Sequence, residues 1–133
     1  MKMKGGCLCG AVRYEASDPV VTAICHCTHC QKSSGSAYSV NVLFPEGNVR
    51  FEGTTQQFVD TGESGRHLSR HFCPKCGSSL YTKADSIPGL TIVKAGSLDD
   101  TSAVKPTVQI YCARAQSWVT LAAGTTNHQR GMV

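Results

Sequence analysis

Three short cysteine clusters limit what this chain can fold into more than any other feature of its sequence. Seven of its eight cysteines lie in the segments Cys7-x-Cys9, Cys25-x-Cys27-x-x-Cys30 and Cys73-x-x-Cys76. Zinc prefers about four ligands in a tetrahedron, and closely spaced cysteines supply two of them at a low loop-closure cost. The clusters therefore predict a fold organised by metal sites.

The number of clustered cysteines indicates that the two sites differ. Seven ligands fill one four-coordinate site and leave a second with three, and an open position in a zinc site is used for chemistry or binding. Spacing alone does not fix the partition. Three of the seven span only six residues and can converge on one ion by themselves, namely Cys25, Cys27 and Cys30. The other two pairs would then form a structural site that joins distant parts of the chain.

An eighth ligand would close both sites and weaken the interpretation as an enzyme. The candidates are three histidines and the remaining cysteine: His26, His29, His71 and Cys112. Adjacent residues on an extended segment face opposite sides, so we expect a histidine between two cysteine ligands to point away from the metal. Cys112 lies in an apolar pattern and is expected to pack as a small hydrophobic residue.

Two other uses of cysteine fit less well. A thioredoxin-like redox pair at Cys27/Cys30 or Cys73/Cys76 needs a helix in a βαβ context, which the sequence does not indicate. A disulfide framework fits an odd set of seven clustered cysteines poorly and needs an oxidising compartment. The N-terminus resembles no secretory signal, so we expect a cytoplasmic protein.

Length and composition indicate one soluble domain. The chain has 133 residues, 41% of them hydrophobic, and no apolar run approaches the roughly 18 residues of a membrane span. We therefore expect a single domain over residues 1–133, with a tail at residues 127–133 that is mobile. The formal charge of +4 would largely disappear once seven thiolates bound two divalent ions, so nucleic acid is not an expected partner.

Strand signals dominate the rest of the chain. Short β-branched or aromatic runs bounded by turn residues predict strands at 11–15, 20–24, 37–44, 48–51, 56–60, 67–72, 79–82, 90–95 and 107–111. No apolar pattern of helical period lasts for three turns, and one short helical turn fits across Thr28–Ser34. The sequence predicts an all-β fold of small antiparallel sheets.

The ordered motifs resemble a known family. The segments GCLCGAVRY at 6–14, CHCTHCQKSSG at 25–35, FCPKCGS at 72–78 and AGSLDD at 95–100 are similar to those of the glutathione-dependent formaldehyde-activating enzyme family, which includes centromere protein V. The match spans roughly residues 5–100, and Trp118 resembles the family's C-terminal tryptophan. Gln109 is a departure, because a histidine often stands there in the family.

The resemblance implies a β-tent fold with two zinc ions. It assigns a structural zinc to Cys7, Cys9, Cys73 and Cys76, and a labile active-site zinc to Cys25, Cys27 and Cys30. It also implies that glutathione and formaldehyde are joined to S-hydroxymethylglutathione by a carbon–sulfur lyase. Many members look like handlers of thiols or aldehydes more generally.

A glutathione pocket should offer cations near the active-site metal, because glutathione carries two carboxylates. Lys32 is the first candidate by its position in the sequence, followed by Arg66 and Arg70. The rival functions are a zinc-stabilised binding module, which needs a saturated second metal, and a zinc ribbon that binds nucleic acid. The sequence favours the enzyme over both.

Overall fold

The chain folds mainly into β-strands. A computed structural model describes residues 1–131, in which one α-helix accompanies eleven strands. The helix is α1 (Thr28–Ser34). The strands are β1 (Lys2–Gly6), β2 (Arg13–Ser17), β3 (Val21–Cys25), β4 (Ser39–Pro45), β5 (Val49–Glu52), β6 (Gln56–Thr61), β7 (His67–Phe72), β8 (Ser79–Ala84), β9 (Leu90–Lys94), β10 (Val108–Ile110) and β11 (Thr126–Asn127). The predicted all-β class is confirmed, and each of the nine predicted strands overlaps an observed one.

The strands form two sheets of different size. The small sheet is antiparallel, in the order β1-β2-β5, and the large sheet has the order β11-β10-β3-β4-β9-β8-β7-β6. The large sheet departs from the predicted antiparallel pattern at its β10 end, where β10 pairs in parallel with both β3 and β11. A parallel pair needs a long connection, and the chain between β3 and β10 supplies it.

The main core lies between the two sheets. Its fully buried members include Val12 from the loop before β2, Phe44 from β4 and Val93 from β9. Tyr14 of the small sheet packs in the same cluster, and its ring lies 5.2 Å from that of Phe51. One face of the large sheet is therefore covered by the small sheet.

The opposite face of the large sheet carries polar side chains. Cross-strand partners share a face, and alternate residues along a strand return to it. The observed pairs are Cys25 with Ser39, Asn41 with Lys94, Thr82 with Ile92, and Arg70 with Thr82. We call the face that these residues share the cysteine face.

The C-terminal segment pairs with β10. Backbone hydrogen bonds join His128 to the carbonyl of Gln109, and Tyr111 to the carbonyl of Arg130. Residues 132–133 of the predicted tail lie outside the described residues, and its mobility stays a prediction. Among residues 1–131, no helix has the length and apolar character needed to cross a membrane.

Candidate functional site

Four cysteine sulfurs from two distant segments meet at one end of the small sheet. Cys7 and Cys9 lie in the loop after β1, and Cys73 and Cys76 lie in the turn between β7 and β8. All four sulfurs lie within 4.8 Å of one another. The Sγ atom of Cys9 lies 3.6 Å from that of Cys7 and 3.8 Å from that of Cys73. We call this group the four-sulfur cluster.

Backbone and hydroxyl donors hold the four-sulfur cluster in place. The amides of Val12 and Lys75 donate to the sulfurs of Cys7 and Cys73, at 3.2 Å and 3.4 Å. The Ser78 hydroxyl lies 3.2 Å from Cys76 Sγ and accepts a hydrogen bond from the Leu8 amide. The hydrogen bond with Ser78 lowers the pKa of the Cys76 thiol to about 5. The Val12 amide and the Ser78 hydroxyl thus favour the thiolate forms of Cys7 and Cys76, and the thiolate is the form that binds metal.

Three further sulfurs meet on the cysteine face, in what we call the three-sulfur cluster. Cys25 ends β3, Cys27 caps α1 and Cys30 lies in its first turn, and each residue is less than a tenth exposed. The Cys30 amide donates to Cys27 Sγ at 3.3 Å, so the same sulfur caps the helix and belongs to the cluster. The three sulfurs lie within 4.8 Å of one another. The cluster is therefore local to six residues.

The donor sets fit a tetrahedral zinc ion. With Zn–S bonds of about 2.3 Å, the sulfurs of a tetrahedral site lie about 3.8 Å apart, which matches the two distances measured from Cys9. All eight cysteines are free thiols, and thiolates are the soft ligands that select zinc. The four-sulfur cluster could complete such a site, and the three-sulfur cluster would leave one position open.

The candidates for an eighth ligand lie elsewhere. His26 is fully buried, and its Nε2 atom hydrogen bonds with Gln109 Oε1 at 2.7 Å, while His29 Nδ1 contacts Asp60 Oδ2 at 2.9 Å. His71 stacks on Tyr81, and Cys112 is partly buried outside both clusters. Within residues 1–131, the three-sulfur group includes no histidine or carboxylate.

A charged network borders the three-sulfur cluster. Asp60 accepts hydrogen bonds from His29 and, at 3.0 Å, from Arg70 Nε. Although burial acts in the opposite direction, these two partners hold the pKa of the Asp60 carboxyl below its ordinary range. Arg70, proposed from the sequence as a cation near the metal, is thus placed beside α1 through its shared partner Asp60.

Lys94 is a neighbour of the three-sulfur cluster that sequence reasoning missed. Its Nζ donates to Asn41 Oδ1 at 2.7 Å, and Asn41 Nδ2 donates to Ser39 Oγ at 2.9 Å. Contacts with Cys25 and Cys27 lower the pKa of the Cys30 thiol, and the Ser39 hydroxyl and the Lys94 charge lower it further. No local motif marks Lys94, because sheet pairing alone brings it to the site.

The other predicted cations are exposed. Lys32 lies in the last turn of α1, and Arg66 lies in the loop between β6 and β7. Tyr111, which was not singled out from the sequence, packs against the three-sulfur cluster together with Ile110. Its backbone has a left-handed φ of 53°, a strained conformation that is concentrated at functional sites. These two side chains shield the sulfurs from water.

The chain is similar to proteins of one family. A family model described as "Glutathione-dependent formaldehyde-activating enzyme" matches residues 2–114. A Halomonas elongata protein described as "Putative glutathione-dependent formaldehyde-activating enzyme" is 29% identical over 105 residues, which cover 74% of this chain and 67% of that protein. A crystal structure of a Rhodobacter sphaeroides protein, 20% identical, has a TM-score of 0.59 and covers 78% of this chain and 92% of that one. The last similarity shows a shared fold.

Proposed function

The chain belongs to the glutathione-dependent formaldehyde-activating enzyme family, and we propose that it is a zinc-dependent carbon–sulfur lyase acting on adducts of glutathione and an aldehyde. The family suggests the glutathione-dependent activation of formaldehyde, giving S-hydroxymethylglutathione. In this reaction the thiol sulfur forms a bond to the carbonyl carbon, and the thiol proton passes to the carbonyl oxygen. The reverse reaction breaks the same C–S bond.

The observation that carries the proposal is the difference between the two sulfur clusters. Four sulfurs from two segments suit a closed structural site, and three from one segment suit a site that accepts a ligand. Zinc, when bound by Cys25, Cys27 and Cys30, supplies a position for a soft thiolate and favours the deprotonated form of a thiol. Cys7, Cys9, Cys73 and Cys76 then hold the structural ion.

Residues around the three-sulfur cluster would bind and orient the substrates. Tyr111 and Ile110 pack against the sulfurs and exclude water from that side. His29, held by Asp60 at the edge of α1, is oriented next to Cys30 in the helix. Lys32 stays a proposed contact for glutathione, and its exposed position at the end of α1 leaves it free to reach a bound peptide.

The test combines metal content with a spectroscopic titration. We expect two zinc ions per chain by elemental analysis, and one after Cys27→Ser, whereas Cys112→Ser is the matched control outside both clusters. In the Co²⁺-substituted protein, glutathione should strengthen the sulfur charge-transfer and ligand-field bands, since sulfur replaces oxygen in the open position. Metal content is measured again at the end, because a thiol can remove a weakly held ion.

Activity is measured as exchange between formaldehyde, glutathione and their adduct by nuclear magnetic resonance. The zinc-loaded protein should accelerate exchange above the uncatalysed rate, and Cys27→Ser should abolish the acceleration. A spectrum indifferent to every thiol at full metal occupancy would refute the proposal. It would favour the alternative of a zinc-stabilised binding module without catalysis.

A further inference from the structure

Three hydrogen-bond donors come together on the cysteine face beside the three-sulfur cluster. Arg70 on β7 pairs with Thr82 on β8, and Thr82 pairs with Ile92 on β9. Lys94 lies two residues beyond Ile92 and therefore points to the same side of the sheet. Strand pairing thus gathers Arg70, Thr82 and Lys94 on one surface.

Each of these side chains has donor capacity that the protein does not use. Thr82 is 3% exposed, yet its hydroxyl has no hydrogen-bond partner among the described residues. Arg70 donates through Nε to Asp60, and its two terminal nitrogens make no hydrogen bond within residues 1–131. Lys94 uses one of its three N–H groups, on Asn41. A buried hydroxyl without a partner destabilises the folded protein, so the position of the Thr82 hydroxyl favours binding of an external acceptor.

The positive charges at this surface also lack enough negative partners. Asp60 is the carboxylate paired with Arg70, whereas Lys94 makes no ion pair in the part of the chain described. Burial lowers the pKa of Lys94, the charge of the Cys30 thiolate opposes that effect, and Arg70 lowers the pKa further. Lys94 is therefore near both the sulfurs and a second cation.

We propose that Thr82, Arg70 and Lys94 form a subsite for a carboxylate of the thiol substrate. A carboxylate offers about four acceptor positions, enough for the hydroxyl, the guanidinium and the ammonium together. Lys94 is linked through Asn41 to Ser39, the cross-strand partner of Cys25. A carboxylate held there therefore belongs to the molecule whose thiol occupies the open position. The inference rests on the proposed function and narrows its substrates to acidic thiols.

A matched pair of small thiols tests the subsite. The acid 3-mercaptopropionate and its neutral amide, 3-mercaptopropionamide, are titrated into the zinc-loaded protein by calorimetry. We expect the acid to bind at least about tenfold more tightly, as is typical of a hydrogen bond to a charged group in a partly buried site. Equal affinities would overturn the subsite and leave the proposed function standing. Binding of neither thiol would also overturn the subsite, and the proposed function is then decided separately by the response of the Co²⁺ spectrum to glutathione.

Thr82→Val separates a binding role from a structural one. The substitution keeps the shape and removes a buried hydroxyl that has no partner, so the melting temperature should stay the same or rise. The affinity for the acid should fall about tenfold, and the affinity for the amide should not change. Lys94→Met should also remove the preference for the acid, whereas Lys83→Met, on the opposite face and paired with Glu46, should retain it. A destabilised Thr82→Val, or one with unchanged affinity for the acid, would contradict the proposal.

Discussion

The Sγ atoms of Cys9 and Cys73 lie 3.8 Å apart although 64 positions separate them in the sequence. The contact joins the loop after β1, in the small sheet, to the turn between β7 and β8, in the large sheet. A metal held there closes a long loop, which removes conformational freedom from the unfolded chain. The four-sulfur cluster therefore connects the two sheets directly.

Loss of one ligand of the four-sulfur cluster should destabilise the protein. Cys73 is fully buried, and we expect Cys73→Ser to lower the free energy of unfolding by about 3 kcal/mol or more, because structural zinc contributes folding free energy. Thermal melting is the measurement, with Cys112→Ser as the control. A Cys73→Ser variant with the melting temperature of the wild type would show that the four-sulfur cluster is not a structural site.

Loss of a ligand of the three-sulfur cluster should leave the fold largely intact. Cys27 caps α1 through its sulfur, and serine is a favoured residue at the same position of a helix. Cys27→Ser should therefore bind one zinc instead of two and melt close to the wild type. Elemental analysis and melting are compared on the same sample. If Cys27→Ser unfolds as readily as Cys73→Ser, the division into a structural and an active site is wrong.

Asp60 should make the free energy of unfolding depend on pH in the acidic range. Its pKa is lower in the folded state than in the unfolded chain, so its contribution is complete above about pH 5 and is lost as the pH falls through its folded pKa. Asp60→Asn should cost about 1–2 kcal/mol at pH 7 and progressively less below pH 4. Denaturant unfolding between pH 3 and pH 7 measures this. The control variant is Asp85→Asn, because the Asp85 carboxylate makes no ion pair among residues 1–131.

Gly5 should tolerate no side chain. A Cβ atom at this position of β1 would meet the Ser97 carbonyl oxygen and the Tyr14 ring at 2.5 Å. Gly5→Ala is expected to cost about 3 kcal/mol, since the atoms it meets include backbone that cannot move aside. Gly47→Ala, with nothing within 4 Å of the new atom, is the matched control and should be nearly neutral. Equal melting temperatures for the two variants would refute the close approach.

Local signals in the sequence predict most of the strands but not β1. The runs that become β3, β4 and β7 contain β-branched or aromatic residues between turn residues. β1 has the sequence KMKGG, which favours no strand, and it forms because β2 pairs with it and Gly5 allows a close approach to Ser97. Tertiary contacts determine whether such a segment forms a strand, and the local strand propensity of its residues does not reveal those contacts.

The sequence likewise predicts one part of the candidate site and misses another. The cysteine clusters are visible from spacing alone, because neighbouring ligands are neighbours in the chain. Lys94 comes close to the three-sulfur cluster only through pairing across the large sheet, and no spacing in the sequence predicts that register. The same holds for the bond between His26 and Gln109, which lie 83 positions apart.

The three-sulfur cluster and the four-sulfur cluster differ in when they can assemble during synthesis. The ribosome adds about 5–20 residues per second, so the 43 residues from Cys30 to Cys73 take about 2–9 seconds to make. Throughout that interval the nascent chain already holds all the ligands of the three-sulfur cluster and only half of the four-sulfur cluster. With two metal sites as proposed, the three-sulfur site is ready to capture an ion first, and the four-sulfur site can be completed only after the turn between β7 and β8 has been translated.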